Sequence, residues 1–170
     1  MGAESITPMR GRYLIFQLAD RTYAVPIQCV EEIVPIAELF PVPGAPEFLA
    51  GFLDVGGQLV AAISLRRLLG LPDHERELYT PLVILKSTRQ RIALEIDSVS
   101  RIAEIAPEDV IPVTDGCSIN DCAAAVARLD GQAVVLLSPE RILLEQEAKR
   151  VAELAELTRQ RLTELESATA

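Results

Sequence analysis

Histidine and cysteine, which often act in catalysis or bind zinc, are few in this sequence. The one histidine, His74, lies in a polar stretch in which a Ser-His-Asp triad would have to be centred, and a solvated loop residue is the simpler interpretation. A zinc site would need the histidine together with all three cysteines: His74, Cys29, Cys117 and Cys122. Only the last two are close in sequence, and their Cys-x4-Cys spacing is loose for paired zinc ligands. These residues therefore predict neither a triad nor a metal site.

Two further patterns are also poor candidates for chemistry. The segment from Gly51 to Gly57 holds three glycines but no lysine and no Gly-x-Gly-x-x-Gly order, so a hairpin turn is favoured over a phosphate-binding loop. Glu31 and Glu32 are adjacent, so their carboxylates diverge on a strand or helix instead of converging on one substrate. We therefore predict a protein that is not an enzyme and that has no cofactor.

Length and charge narrow the remaining functions. The chain has 170 residues, enough for one domain or two fused halves, and only 4% are aromatic, so we expect a core of Leu, Ile, Val and Ala. Acidic residues outnumber basic ones by 25 to 16, which gives a net charge of −9. Because it has no basic run, the chain is a poor ligand for nucleic acid or for an anionic membrane surface.

Targeting signals are not evident in the sequence. Residues 1–10 lack the apolar core of a secretory signal, and no stretch approaches the ~18 apolar residues of a membrane-spanning helix. An odd number of irregularly spaced cysteines does not indicate a disulfide framework. We therefore expect a cytoplasmic protein without direct membrane insertion, and a flexible N-terminus over residues 1–11.

The sequence contains an internal repeat, which decides how the fold should be interpreted. Residues 13–18 (YLIFQL) align with residues 82–87 (LVILKS) at an offset of 69, and the apolar positions continue to match without a gap. Residues 57–64 align with residues 131–138 at an offset of 74. The second half of the chain therefore has five more residues than the first.

Each half, approximately residues 12–71 and 81–144, consists of short apolar runs joined by tight turns. Gly56-Gly57 and Asp130-Gly131 are typical hairpin turns, because glycine supplies the positive φ that such turns need. We place the five extra residues of the second half in the loop around 113–120. Several short strands in each half favour a small barrel over a parallel α/β sheet.

A long helix is predicted at the C-terminus. Ser138 is a suitable N-cap and Pro139 suits the first turn, so we predict a helix over residues 139–168. Its apolar positions alternate spacings of four and three, which is typical of a coiled-coil seam. The candidate residues of an oligomer seam are Leu144, Val151, Leu162 and Leu165. Two interpretations remain open: the helix packs on its own domain, or it projects toward a partner.

Five segments in a fixed order carry a resemblance to a known family: residues 13–16 (YLIF), 23–27 (YAVPI), 30–33 (VEEI), 43–46 (PGAP) and 51–53 (GFL). In order and spacing the chain resembles a CheW-like domain over residues 12–144. The resemblance implies a mainly β fold of two intertwined five-stranded, SH3-like barrels around a shared apolar core. Short helices and the long C-terminal helix complete the expected architecture.

The resemblance also implies a function. CheW-like domains are non-catalytic adaptors that link the regulatory domain of a CheA-type histidine kinase to the cytoplasmic tip of chemoreceptors, the methyl-accepting proteins, in arrays beneath the inner membrane. We therefore expect a scaffold in a chemosensory signal-transduction array. The alternative is a self-assembling structural or decoy protein that forms homo-oligomers through its barrel faces or C-terminal helix, without direct kinase coupling.

Partner-binding residues follow from the same resemblance. Val30, Glu32 and Ile33 match a segment near the receptor-facing groove, and Val99, the repeat partner of Val30, falls on the inter-barrel side. A hairpin matches a stretch usually written Asn-x-Arg-Gly near the kinase and receptor contacts; here its residues are Asp54, Val55, Gly56 and Gly57. For Val30 and Ile33, packing in the core is an equal alternative.

The chain departs from that family pattern in three places. Gly56 stands where an arginine is usual, Asp54 replaces an asparagine and Ser64 replaces an aspartate. Loss of a guanidinium removes a charge and five hydrogen-bond donors, which suggests a different kinase and receptor set, such as a pathway whose output is not swimming. The helix beyond Glu145 also exceeds a minimal family member and is a candidate docking or oligomerisation element.

Overall fold

A computed structural model describes residues 11–35, 39–72, 80–86, 90–114, 116 and 118–169. The strands in these ranges are β1 (Gly11–Leu18), β2 (Arg21–Pro26), β3 (Val30–Pro35), β4 (Leu49–Val55), β5 (Gln58–Ser64), β6 (Pro81–Leu85), β7 (Ile92–Glu95), β8 (Ser98–Ile105), β9 (Val110–Pro112), β10 (Ala123–Leu129) and β11 (Gln132–Leu137). The α-helices are α1 (Leu65–Leu68), directly after β5, and α2 (Glu145–Thr169). No helix in the described ranges has both the length and the apolar content needed to cross a membrane.

The strands form two sheets that exchange hairpins between the two halves of the repeat. One sheet has the order β3-β6-β7-β5-β4, and the other has the order β8-β1-β2-β11-β10-β9. Under the repeat, strands β1 to β5 correspond to β6, β7, β8, β10 and β11, so every pairing in the first sheet has its equivalent in the second. The predicted mainly β fold with two intertwined halves is confirmed.

One sheet has six strands, where five were predicted for each. The additional strand β9 pairs with β10, with Ile111 opposite Val126. Its equivalent in the first half is a single bridge, in which Phe40 and Phe52 exchange backbone hydrogen bonds of 2.8 and 3.0 Å. A proline follows the paired residue in both halves, Pro41 after Phe40 and Pro112 after Ile111, so the proline does not explain the difference.

The two sheets share one large hydrophobic cluster. Phe16 of β1 and Phe52 of β4 are both fully buried in it, although they belong to different sheets. Leucine, isoleucine and valine supply most of the other members, as the composition predicted. Val151 and Leu154 of α2 belong to the same cluster, so the helix is part of the core of this domain.

Helix α2 begins at Glu145, so the prediction that it begins at Pro139 is wrong. Residues 139–141 form a separate 3-10 turn, and the Ser138 side chain makes no capping hydrogen bond. The break occurs because Ile142 and the next residue are both buried in the core, with the Asn120 side-chain amide donating to the Ile142 carbonyl at 3.0 Å. The Glu147 carboxylate then accepts the Leu144 N–H at 2.8 Å, which satisfies a backbone donor at the start of the helix.

Asp97, between β7 and β8, joins the two sheets through its carboxylate. Arg66 of α1 donates from Nε to Oδ1 at 3.0 Å and from Nη2 to Oδ2 at 2.5 Å, so the ion pair is bidentate. The same carboxylate accepts the backbone N–H of Ala19 at 2.8 Å, in the turn between β1 and β2. Arg66 lies directly after β5 of one sheet, and Ala19 lies in a turn that joins two strands of the other sheet. This junction therefore holds the two sheets together.

Replacing Arg66 with alanine should lower the free energy of unfolding by about 2 kcal/mol, because it leaves the largely buried carboxylate of Asp97 without its bidentate partner. Urea denaturation measures the loss. Arg101→Ala is the matched control: Arg101 pairs with Asp130 on the surface, both more than half exposed, and its loss should cost below about 0.5 kcal/mol. Equal losses for the two variants would show that the junction contributes nothing beyond a surface ion pair.

Candidate partner-binding surface

Strand β3 is the end strand of its sheet and carries three of the predicted partner-binding residues. Val30 is half-buried and packs against the large core cluster, so its side chain belongs to the core at least in part. A register shift lies between Val30 and Glu32, and beyond it Glu32 and Ile33 are both exposed, with Ile33 42% accessible. Glu32 and Ile33 are therefore available to a partner.

Strand β8 is the equivalent end strand of the other sheet. Val99 lies on it, 36% exposed, opposite Phe16 of β1. Ile102, which the repeat places over Ile33, is 47% exposed and was not among the predicted site residues. The repeat alignment was the signal that could have found it, because a surface position in one half predicts a surface position in the other.

The β4–β5 hairpin forms the turn that the sequence predicted. Gly56 and Gly57 have φ of +60° and +89°, the values of a two-residue turn in which both central residues are left-handed. The exposed Asp54 carboxylate accepts the Gly57 N–H at 2.9 Å, so its first role is to stabilise the turn. Val55 is half-buried against a small core cluster, which leaves the tip of the hairpin as its accessible part.

A chain of polar contacts links this hairpin to the beginning of β3. Arg91 donates from Nε to Glu31 at 2.8 Å and from Nη1 to the Gln58 side-chain carbonyl at 2.9 Å. Gln58 is the first residue after the hairpin turn, and Glu31 precedes the exposed pair of β3. The structure thus connects two of the predicted segments, whereas Val99 lies on the other sheet.

The predicted oligomer seam is divided by the structure. Val151 is 2% exposed and packs in the core of its own chain, so its assignment to a seam between copies is wrong. Leu162 is half-buried, while Leu144 and Leu165 are exposed. Spacings of four and three describe an apolar face, and the first half of that face is covered by β5 and not by another molecule.

Helix α2 and the β4–β5 hairpin enclose a groove that sequence reasoning missed. Its volume is about 360 Å³, and both Gly57 and Arg159 line it. Arg159 donates to both oxygens of Glu156 at 2.6 and 2.8 Å, and this bond lowers the pKa of Glu156. Nothing in the sequence could indicate this groove, because α2 and the hairpin are far apart in the chain.

The two cysteines in the described ranges, Cys29 and Cys122, are not placed for nucleophilic catalysis or metal binding. Burial raises the pKa of the Cys122 thiol, and burial together with the Glu140 carboxylate raises that of Cys29, while Lys86 lowers it. Raised values keep the thiols protonated, whereas thiolates are the reactive and metal-binding form. Within those ranges no group of three or more His, Cys, Asp or Glu residues could hold a metal; His74 and Cys117 lie outside them.

Comparison with known proteins gives the family. Residues 12–147 match the CheW-like domain. The chain belongs to the CheW-like family. CheW-like proteins are non-catalytic adaptors, so membership confirms both the predicted resemblance and the prediction that this protein is not an enzyme.

Relatives agree with this membership. The chemotaxis protein CheW of Helicobacter pylori is 26% identical over 133 residues, covering 78% of this chain and 81% of the relative. That of Rhizobium meliloti is 24% identical over 140 residues, covering 81% and 90%. The crystal structure of the scaffolding protein TtCheW from Thermoanaerobacter tengcongensis has the same fold, with a TM-score of 0.71, 21% identity, and coverage of 76% of this chain and 90% of that one.

Proposed function

We propose that this CheW-like protein couples the cytoplasmic tip of chemoreceptors to the regulatory domain of a CheA-type histidine kinase, in an array beneath the inner membrane. The observation that carries the proposal is the repeated exposure of aliphatic side chains on the end strands of both sheets. Ile33 on β3 and Ile102 on β8 are equivalent in the repeat and are 42% and 47% exposed. Exposed apolar residues on open sheet edges are typical of protein interaction sites.

Two separate edges suit an adaptor, because an adaptor must bind two partners at once. The predicted site residues fall on both sheets: Glu32, Ile33 and the 54–57 hairpin on one, and Val99 on the other. Glycine at position 56 leaves the hairpin without a cation, which fits a kinase and receptor set from a pathway whose output is not swimming. Weak individual contacts suffice in an array, because avidity multiplies them.

Titration calorimetry with a receptor-tip fragment and with the kinase regulatory domain tests the proposal. Ile33→Ser and Ile102→Ser should each weaken binding of at least one partner about tenfold, the effect of ~1.4 kcal/mol. Leu157→Ser is the matched control, because Leu157 is 46% exposed but lies on α2. If neither fragment binds the wild-type protein, the coupling function is excluded.

Glu32→Arg should also lower affinity for the receptor tip while the protein stays folded, because Glu32 is exposed on an end strand. Glu108→Arg reverses another exposed charge, in the turn before β9, and should leave binding unchanged. Circular dichroism verifies folding of both variants. Full receptor binding by a folded Glu32→Arg protein would remove Glu32 from the site.

Self-assembly without a kinase is the competing function. Its predicted seam has lost Val151 to the core, so a homo-oligomer would have to use the other seam residues, Leu144, Leu162 and Leu165, or the barrel faces. Light scattering at two concentrations, with the full chain and with a chain ending at Thr158, distinguishes self-assembly from the coupling function. The shorter chain keeps both buried residues of α2, Val151 and Leu154, so it can fold.

A further inference from the structure

The groove between α2 and the β4–β5 hairpin has an apolar floor. Three buried apolar residues form this floor and are each at most 2% exposed: Phe52, Val60 and Val151. On the helix side, Ala152 and Ala155 are small and leave the groove open. At about 360 Å³ it is at the small end of the ~300–1,000 Å³ range of ligand sites, so it suits protein side chains better than a large cofactor.

Two guanidinium groups line the same groove, Arg91 from the residue before β7 and Arg159 from α2. Arg91 uses Nε and Nη1 on Glu31 and Gln58, and Arg159 uses Nη2 on Glu156. The remaining donors, Nη2 of Arg91 and both Nε and Nη1 of Arg159, bond to no residue in the described ranges. Guanidinium donors of this kind bind carboxylates with well-defined geometry.

The helix side of the groove lies beyond the range that matches the CheW-like domain. The CheW-like match ends at residue 147, whereas the groove-lining residues of α2 lie between Val151 and Arg159. The opposite side is formed by β5 and the hairpin, which lie within the matched range. The groove therefore combines the hairpin that the resemblance assigns to partner binding with a part of α2 outside the matched range.

We propose that this groove binds a helical segment of the receptor tip that carries an acidic residue beside an aliphatic one. The aliphatic side chain packs on the apolar floor between the two alanines and β5, and the carboxylate accepts hydrogen bonds from Arg159 and Arg91. Charge complementarity selects this occupant: the groove lining holds two basic residues, Arg91 and Arg159, against one acidic residue, Glu156, over an apolar floor. A helix lying in a groove is a common mode of peptide recognition. The inference rests on the proposed coupling function and adds a second contact to it.

Binding of a receptor-tip fragment to the full chain tests the groove. Arg159→Glu should weaken binding at least tenfold, and Ala152→Phe, which fills the groove without changing charge, should do the same. Arg150→Glu is the matched control, because it breaks the same kind of i,i+3 ion pair, with Glu153 at 3.6 Å, on α2 outside the groove. Binding of the wild-type protein should also weaken with added salt, and less so for Arg159→Glu.

The possible outcomes separate this inference from the proposed function. Weakened binding by Arg159→Glu and Ala152→Phe, with normal binding by Arg150→Glu, supports the groove. Equal receptor binding by all variants overturns the groove and leaves the coupling function standing. A receptor fragment that does not bind the wild-type protein overturns both. If the two groove variants instead lower self-association or kinase binding alone, the receptor is not the occupant and the inference is wrong.

Discussion

Replacing Leu154 with alanine is expected to lower the free energy of unfolding by about 2–4 kcal/mol, because it leaves a cavity in the shared core. Leu154 is 6% exposed and belongs to the cluster that also contains Phe16 and Phe52. The result would establish that α2 is a structural part of the domain and not an appendage. Urea denaturation followed by circular dichroism gives the value.

Leu157→Ala is the matched control for this variant. It removes the same atoms from the same helix, three residues later, but from an exposed side chain. Apart from the difference in helix propensity, the substitution should change the free energy of unfolding by less than about 0.5 kcal/mol. Similar small losses for both variants would mean that α2 does not pack on the sheets in solution. A large loss for Leu157 alone would place the opposite face of the helix in the core.

Gly51→Ala is expected to have an effect of similar size, about 2–4 kcal/mol, through the backbone. Gly51 has a φ of +151°, and a Cβ there would lie 2.8 Å from the carbonyl oxygen of Phe40. That oxygen accepts the Phe52 N–H at 3.0 Å, so the clash cannot be relieved without disturbing the bridge between Phe40 and β4. Thermal and urea unfolding measure the loss.

Gly57→Ala is the control for the glycine prediction. Gly57 also has a positive φ, of +89°, but a Cβ there would meet no atom within 4 Å. Its replacement should cost only the strain of the left-handed conformation, about 1 kcal/mol. Equal losses at both positions would show that conformational strain, and not the contact with Phe40, makes Gly51 necessary.

Much of the fold could be predicted from the internal repeat. The two offsets fixed which strands correspond, and the turns at Gly56-Gly57 and Asp130-Gly131 were identified by residue types whose backbone preference is strong. The extra strand β9 could not be predicted, because the same edge in the first half has only a bridge.

The environment of α2 could not be predicted, because an apolar face of a helix does not specify what covers it. Val151 fits a coiled-coil seam and a core position equally well by spacing. The predicted start of the helix was wrong for a related reason. Ser138 and Pro139 are residues that often begin a helix, but burial of Ile142 in the core delays the start of α2 to Glu145.

Sequence analysis identified some residues of the candidate site and missed others. Ile33 and Val99 lie on end strands, as a partner-binding surface requires, and their role in binding stays a prediction. Ile102 could have been found from the repeat. Arg91 and Arg159 could not, since they meet at one groove only after the hairpin and α2 have packed together.

The exchange of hairpins between the two halves has a consequence for synthesis of the protein. The β1–β2 hairpin leaves the ribosome first, but its neighbours in the sheet are β8 and β11, and β11 ends at Leu137. The β1 edge therefore stays open until β8 is made, and the β2 edge stays open until β11 is made. Open edges are the usual starting points of aggregation. A nascent chain of this protein therefore needs nearly the whole domain before the β2 edge is covered by its own sheet.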